Sequence, residues 1–376
     1  MNENKKTKRI LFLLPYLKAG GTERQLYYLT RELKDEYCVE VCIVEDTGSF
    51  KHFFRDIDLK IINTKFSKNN ALKIIYKLRQ ILVRGDYDLV VSRGWNTNMI
   101  VSLASLNLKV KTMLYISGSV SGEKNYFEKT FRSWLFNRAN KMISVSKEAK
   151  ENCIKSYQNN PGNVQVIHNG VDLDLIKNST INQNNVLKEN NKFTLLFVGR
   201  LEYRKGLDYL LCALEKIPFQ IRKNMELLVV GEGTKLSHYK KLAESLNLME
   251  QVFFLGEKTN PFPYMRLADI FLFPSRSEGF PNVLLEAMAL GMPVISSNCQ
   301  TGPSEVIRQM ENGILIEIVG VEEEKVSQAF ADKIVLLFQE EELREKIGLQ
   351  AKKDIENNFK LEDKIKEVKT SINTII

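Results

Sequence analysis

The sequence of 376 residues predicts two doubly wound α/β domains. Three observations carry this expectation. The chain is longer than the roughly 250–300 residues at which a single core stops growing. Short, continuous apolar runs alternate with helical patterns, which is how strands covered on both faces of a parallel sheet read. The alternation breaks off once, in a polar stretch, and then starts again.

Taken in order, strands are predicted at Arg9–Pro15, Val39–Val44, Leu59–Asn63, Leu89–Ser92, Val110–Ile116 and Lys141–Val145, with a first helix from Thr22. Residues 71–84, ALKIIYKLRQILVR, place Ala71, Ile74, Ile75, Leu78, Ile81 and Leu82 on one helical face and Lys73, Lys77, Gln80 and Arg84 on another. Such a helix either covers the sheet or docks on a membrane surface. The aromatic stretch with Tyr126, Phe127, Phe131, Trp134 and Phe136 leaves the same two readings open. The first domain is predicted over 1–172, followed by a polar surface linker, 173–191. The second, 192–358, restarts with strands at Phe193–Val198, Glu226–Val230, Val252–Leu255, Ile270–Phe273 and Pro293–Ser296. Residues 359–376 close the chain with an amphipathic helix that needs one of the domains to pack against.

Composition narrows the class. With 44% hydrophobic and 27% charged residues and only 9 prolines, the chain is expected to be globular rather than disordered or fibrous. The apolar runs Ile10–Pro15 and Ile270–Pro274 fall far short of the ~20 residues that span a bilayer, and the start MNENKKTKR has no apolar signal core. A cytoplasmic protein, peripheral at the inner face of the cell membrane, is the expectation. Five scattered cysteines argue for buried thiols rather than disulfides, and Cys38 and Cys42 flank a strand without a second ligand pair. Residues 1–170 hold 28 Lys+Arg against 16 Asp+Glu, net +12, while the remainder carries −4. The first half therefore expects an anionic partner, whether lipid or phosphate. A pI near 9.0 also raises nucleic acid, but no recognition module or stacking-sheet motif is present, so none is expected.

The chemistry is concentrated in three places. Lys18-Ala19-Gly20-Gly21-Thr22-Glu23-Arg24 turns from the first strand into a helix, where glycines permit positive φ and close approach and helix-start amides attract anions. Gly199-Arg200-Leu201 ends a strand of the second domain, and Lys205-Gly206 precedes a helix. Open parallel sheets bind ligands at such strand ends, where Arg200 can fork two diphosphate oxygens and Lys205 adds a mobile charge. The third, Ser275-Arg276-Ser277-Glu278-Gly279-Phe280-Pro281-Asn282-Val283-Leu284-Leu285-Glu286-Ala287, runs from a strand into a helix. Pro281 suits the first helical turn, and the amides of Gly279, Phe280, Asn282 and Val283 would face an anion. Glu286 would hold ribose hydroxyls, and Glu278 would lie nearer a transferred group. Taken alone, Glu278 reads first as a helix-start charge complementing the dipole and Glu286 as an ordinary helical acid.

The pair of glutamates eight residues apart in EGFPNVLLE, with VGRL and KG before it and the glycine pair near the start, resembles the retaining family 4 glycosyltransferases (glycosyl transferases group 1) of bacterial surface-polysaccharide type. The resemblance covers nearly the whole chain. It implies the GT-B fold, two facing Rossmann-like domains with a C-terminal helix crossing back to the first. It implies further that Glu286 holds the ribose, Arg200 and Lys205 the diphosphate, that Glu278 lies by the donor sugar, and that Gly20 and Gly21 close from the other domain. The stretch Val166-Ile167-His168-Asn169-Gly170-Val171-Asp172 resembles the link between the domains. Many relatives carry a histidine after the strand at Val110–Ile116, where this chain reads Ser117-Gly118-Ser119-Val120-Ser121, so Ser119 is the candidate for that contact.

The implied reaction is a metal-independent, cofactor-free retaining transfer of a hexose or N-acetylhexosamine from a nucleotide sugar, UDP-linked in the first instance. The implied acceptor is a growing glycan or a polyprenyl-diphosphate-linked one, in capsule or O-antigen assembly at an anionic membrane surface. Two other classes stay open: a non-catalytic nucleotide-sugar-binding subunit of the same fold, and a sugar-nucleotide epimerase of related architecture.

Overall fold

A computed structural model describes residues 7–18, 20–116, 126–158, 160–181 and 192–376. The chain divides into two compact units: Met1–Asn169 with Glu362–Ile376, and Gly170–Leu361.

The first unit alternates β1 (Arg9–Leu14), α1 (Gly21–Leu33), β2 (Cys38–Ile43), β3 (Asp58–Ile61), α2 (Ala71–Gly85), β4 (Leu89–Arg93), α3 (Trp95–Ala104), β5 (Lys111–Ile116), α4 (Tyr126–Phe136), β6 (Lys141–Ser144), α5 (Lys147–Tyr157) and β7 (Val164–Val166). All seven strands run parallel in the order β3-β2-β1-β4-β5-β6-β7. Ile10 to Leu14 are all buried, which explains why β1 reads as an unbroken apolar run. One core gathers Leu11 and Leu13 of β1, Ile74, Leu78 and Leu82 of α2, Val101 of α3, Leu135 and Phe136 of α4 and Tyr157 of α5.

The second unit continues with α6 (Leu173–Ile181), β8 (Phe193–Val198), α7 (Leu207–Lys216), α8 (Phe219–Arg222), β9 (Met225–Val230), α9 (Leu236–Ser245), β10 (Val252–Gly256), α10 (Phe262–Leu267), β11 (Ile270–Phe273), α11 (Asn282–Ala289), β12 (Val294–Asn298), α12 (Pro303–Val306), β13 (Ile314–Glu317), α13 (Glu323–Gln339) and α14 (Glu341–Asn358). Its six strands, also parallel, follow the order β10-β9-β8-β11-β12-β13. The chain ends in α15 (Leu361–Asn373).

Two details depart from the sequence expectation. The segment 173–191, read as linker, begins with the helix α6; its remainder, 182–191, lies outside the described residues. Strands β7 and β13 close the far edges of the two sheets and are absent from the predicted set. Both sheets reverse their strand order once, between β1 and β4 and between β8 and β11. The carboxyl ends of strands flanking such a reversal are where open α/β sheets leave a crevice for ligands.

Candidate functional site

In the second unit the predicted residues follow the two strands that flank the reversal. After β8 the chain passes Gly199 and Arg200 and makes a 3₁₀ turn at Tyr203–Lys205 before α7. Gly206 ends that turn with φ +67, and a Cβ there would fall 2.1 Å from the carbonyl oxygen of Pro274. Only glycine lets the turn lie against the end of β11. Lys205 is thereby delivered to the segment after β11, where its Nζ donates to Glu278 Oε1 at 2.5 Å. The Lys205 and Glu278 side chains are 14% and 9% exposed, so their attraction is only partly screened by water. Arg204 stands next to them, its Nη1 3.8 Å from Glu278 Oε2. Arg200 is 63% exposed and pairs with Glu202 at 3.1 Å, which also meets Arg204 at 3.2 Å. Three cations thus face two carboxylates at one sheet end.

Arg276 holds the two loops together. Its guanidinium lies between the rings of Tyr203 and Tyr209, each centroid 4.0 Å away. It donates to both oxygens of Asp208, at 2.8 and 2.5 Å, to Glu323 at 2.8 Å and to the Tyr203 carbonyl at 2.9 Å. The Arg276 amide donates to the Arg204 carbonyl at 2.8 Å. Burial works against the Arg276 charge, but the hydrogen bonds to Asp208 and Glu323 outweigh it and raise the pKa above the ordinary value.

Gly279, Phe280 and Pro281 lead into α11. Pro281 stands one position before the helix rather than within its first turn, and its carbonyl accepts from the amides of Leu284 and Leu285 at 3.1 and 3.3 Å. Asn282 and Val283 therefore open the helix, and Glu286 sits half-buried further along it. The loop after β12 forms another wall, since the Thr301 hydroxyl donates to the Glu278 carbonyl. Below Arg200, the Gly231-Glu232-Gly233 turn after β9 fastens the end of β8: the Leu201 amide donates to the Glu232 carbonyl at 2.8 Å. Arg204, Arg276, Thr301 and this turn were not among the predicted site residues. Only the last gives a sequence signal, two glycines directly after a predicted strand.

In the first unit, Gly20 caps α1 in extended conformation (φ −170, ψ 163) and Gly21 begins the helix. The freedom for positive φ that glycine brings is thus not used at Gly20. What a side chain at Gly20 would meet is the Glu23 carboxylate, 2.5 Å from an added Cβ. At the end of β4 the Arg93 guanidinium lies 5.1 Å from the Tyr115 ring centroid and donates to Asn169 Oδ1 at 2.6 Å. Burial lowers the Arg93 pKa, opposed by Tyr115 and Glu23, and pushes the Tyr115 phenol up to about 12. Ser119 lies outside the described residues. All five cysteines are free thiols; Cys38 is exposed, against the expectation of burial, because it opens β2 at the sheet margin. Among the described residues no three His, Cys, Asp or Glu side chains gather as a metal site would require, and no helix is long and apolar enough to cross a membrane.

Two family profiles share out the chain. Glycosyltransferase Family 4 matches residues 19–175, and Glycosyl transferases group 1 matches residues 178–354. Both profiles describe glycosyltransferases and together they cover most of the chain, so the chain is a glycosyltransferase. An uncharacterised glycosyltransferase of Haemophilus influenzae is 28% identical over 316 residues, 83% of this chain and 86% of its own. The N-acetylgalactosamine-N,N'-diacetylbacillosaminyl-diphospho-undecaprenol 4-alpha-N-acetylgalactosaminyltransferase of Campylobacter jejuni is 26% identical over 318 residues, 80% of this chain and 84% of its own. Anabaena HepE, crystallised with UDP and glucose, matches with a TM-score of 0.84 at 22% identity, covering 98% of this glycosyltransferase and 100% of HepE. That likeness concerns the fold, which is of the GT-B class with two Rossmann-like units.

Proposed function

We propose that this glycosyltransferase moves a hexose or N-acetylhexosamine, with retention of configuration, from a UDP-sugar to a polyprenyl-diphosphate-linked or growing surface-polysaccharide acceptor. The observation that carries the reading is the convergence of Arg200, Arg204 and Lys205 with the start of α11 at the β8/β11 reversal. Fixed cations and oriented helix amides suit a leaving nucleoside diphosphate, whose charge grows as the bond to the sugar breaks. The HepE complex with UDP and the undecaprenol-linked acceptor in the name of the C. jejuni relative support the choice of donor and acceptor class.

In this reading the acceptor hydroxyl oxygen bonds to the sugar's anomeric carbon while the bond from that carbon to the phosphate oxygen breaks. The hydroxyl proton passes to the departing diphosphate. Arg200 and Lys205 neutralise the diphosphate without a metal ion, Glu286 takes the ribose hydroxyls, and Gly279 to Val283 line the phosphates. An ammonium carries three donors, so Lys205 keeps its bond to Glu278 and still has donors for phosphate oxygens. Glu278 then aims Lys205 from beside the donor sugar. Gly20, Gly21 and Ser119 retain their donor-side roles on the resemblance alone.

A thermal-shift screen against UDP, GDP and ADP tests the reading, because ligand at about 100 times Kd adds roughly 2.7 kcal/mol. A UDP-selective shift lost in Glu286→Ala is expected. Lys205→Ala and Arg200→Ala should each lower kcat by about 10²–10³. Near-normal kinetics in all three variants would overturn the assignment, and no shift with any nucleotide would favour a non-catalytic subunit.

A further inference from the structure

Glu202 brings a negative charge into the set of cations assigned to the donor diphosphate. It directly precedes the 3₁₀ turn Tyr203–Lys205, at a position that favours a short polar side chain able to cap the amides of the turn. A glutamate stands there instead and makes no such cap. Its carboxylate is spread over two arginines: Oε1 lies 3.1 Å from Arg200 Nη1, and Oε2 accepts from Arg204 Nε at 3.2 Å. The main chain of Glu202 is fixed from both sides. Its amide donates to the Arg200 carbonyl at 2.9 Å, and its own carbonyl accepts from the Lys205 amide at 2.9 Å and from the Tyr239 hydroxyl at 3.2 Å. Movement of the carboxylate is therefore a matter of side-chain rotation.

The two pairs differ from that of Lys205 with Glu278. The side chains of Arg200, Glu202 and Arg204 are 63, 33 and 39% exposed, so water screens their attraction and the pairs hold weakly. Lys205 and Glu278 are shielded and stay together. A guanidinium held weakly by a carboxylate can pass to a phosphate, which offers more charge and more acceptor oxygens. We propose that the Glu202 carboxylate competes with the donor's phosphates for Arg200 and Arg204, and thereby sets how readily the nucleoside diphosphate leaves. The proposal rests on the reading of Arg200 as a diphosphate ligand and deepens it. While the phosphates are bound, Glu202 repels them; as they withdraw, it gives each guanidinium a partner. Both effects weaken the complex with the product, and affinity differences between variants of one site fall mostly on the dissociation rate.

The test is calorimetric titration of the native chain and of Glu202→Gln with UDP, UMP and uridine, glutamine keeping the shape of the side chain and removing its charge. UDP should bind the variant about three- to tenfold more tightly, with dissociation slowed in proportion, and the gain should shrink as salt is raised. Uridine, which has no phosphate, should bind both proteins alike, and UMP should fall between. UDP binding that is unchanged or weaker in Glu202→Gln overturns the proposal; weaker binding would mean that Glu202 aims the arginines at the phosphates. A gain shared equally by uridine overturns it too, since the cause would then be the shape of the turn and not charge. Absence of UDP, GDP and ADP binding in the native chain is a different failure, which removes the donor site and the proposal with it. Native UDP binding without a gain in the variant leaves the donor site standing.

Discussion

Glu40 shows how a single buried charge can set a pH limit on the first unit. Its side chain is 2% exposed, within β2, and accepts from Lys60 Nζ at 2.8 Å, from the Tyr87 hydroxyl at 2.6 Å and from Arg9. Burial alone would raise its pKa, but the hydrogen bonds from Lys60, Tyr87 and Arg9 win and hold it below the ordinary carboxylate value. A depressed folded pKa means that the stabilisation is present above the unfolded value, about 4.3, and is lost as pH falls through the folded one. Urea unfolding followed from pH 6 to pH 3 should therefore show acid sensitivity that Glu40→Gln reduces. Arg276 makes a different prediction. Arg276→Met and Asp208→Asn should each destabilise the second unit, with a coupling of about 1–3 kcal/mol in the double-mutant cycle, because the residues touch. Additive effects would remove Arg276 from its role of holding the two loops together. Lys205 and Glu278 are legible in the sequence because each stands beside a glycine at a strand end. The Arg276 clamp is not, since Asp208 lies 68 residues away and the pairing exists only in three dimensions.

At the scale of elements, the turn carrying Lys205 depends on Gly206. With φ +67 and the Pro274 carbonyl in the way of any Cβ, Gly206→Ala faces both a left-handed backbone cost of about 1 kcal/mol or more and a steric clash. Gly320 has φ +74 with nothing within 4 Å of an added Cβ, so Gly320→Ala faces the backbone cost alone. Thermal melts should rank Gly206→Ala clearly below Gly320→Ala, and only the former should weaken UDP binding. Equal melting temperatures would mean that the turn yields easily. The central strands are legible because they are buried on both faces: all of Ile270–Phe273 is buried, and no polar residue interrupts it. Strands β7, VQV, and β13, ILIE, lie at sheet edges with one neighbour each and mix polar with apolar positions, so neither stands out as an apolar run. For α4, spacing alone could not say which aromatic residues face the core, because rings lie on both of its sides.

At the scale of the whole molecule, the last helix decides the integrity of the first unit. Ile365, Val368 and Ile372 of α15 are buried, the Tyr37 hydroxyl donates to Asn373 at 2.6 Å, and Lys369 meets Glu36 at 2.6 Å. Replacing one buried aliphatic side chain costs about 2–5 kcal/mol even before a polar group is introduced, a large part of the stability of a domain. Ile372→Ser should therefore lower the melting of the first unit while leaving any UDP shift of the second in place, as calorimetry with and without UDP would show. The division of the chain also bears on its synthesis. The first unit is built from two separated stretches, and about 190 residues must be made between them; at 5–20 residues per second this takes roughly 10–40 s. During that interval the nascent first unit leaves the ribosome with the seat of α15 uncovered. Its apolar lining is open then to chaperones and to neighbouring nascent chains, so a slowly translated message would lengthen the period in which this protein is prone to aggregate.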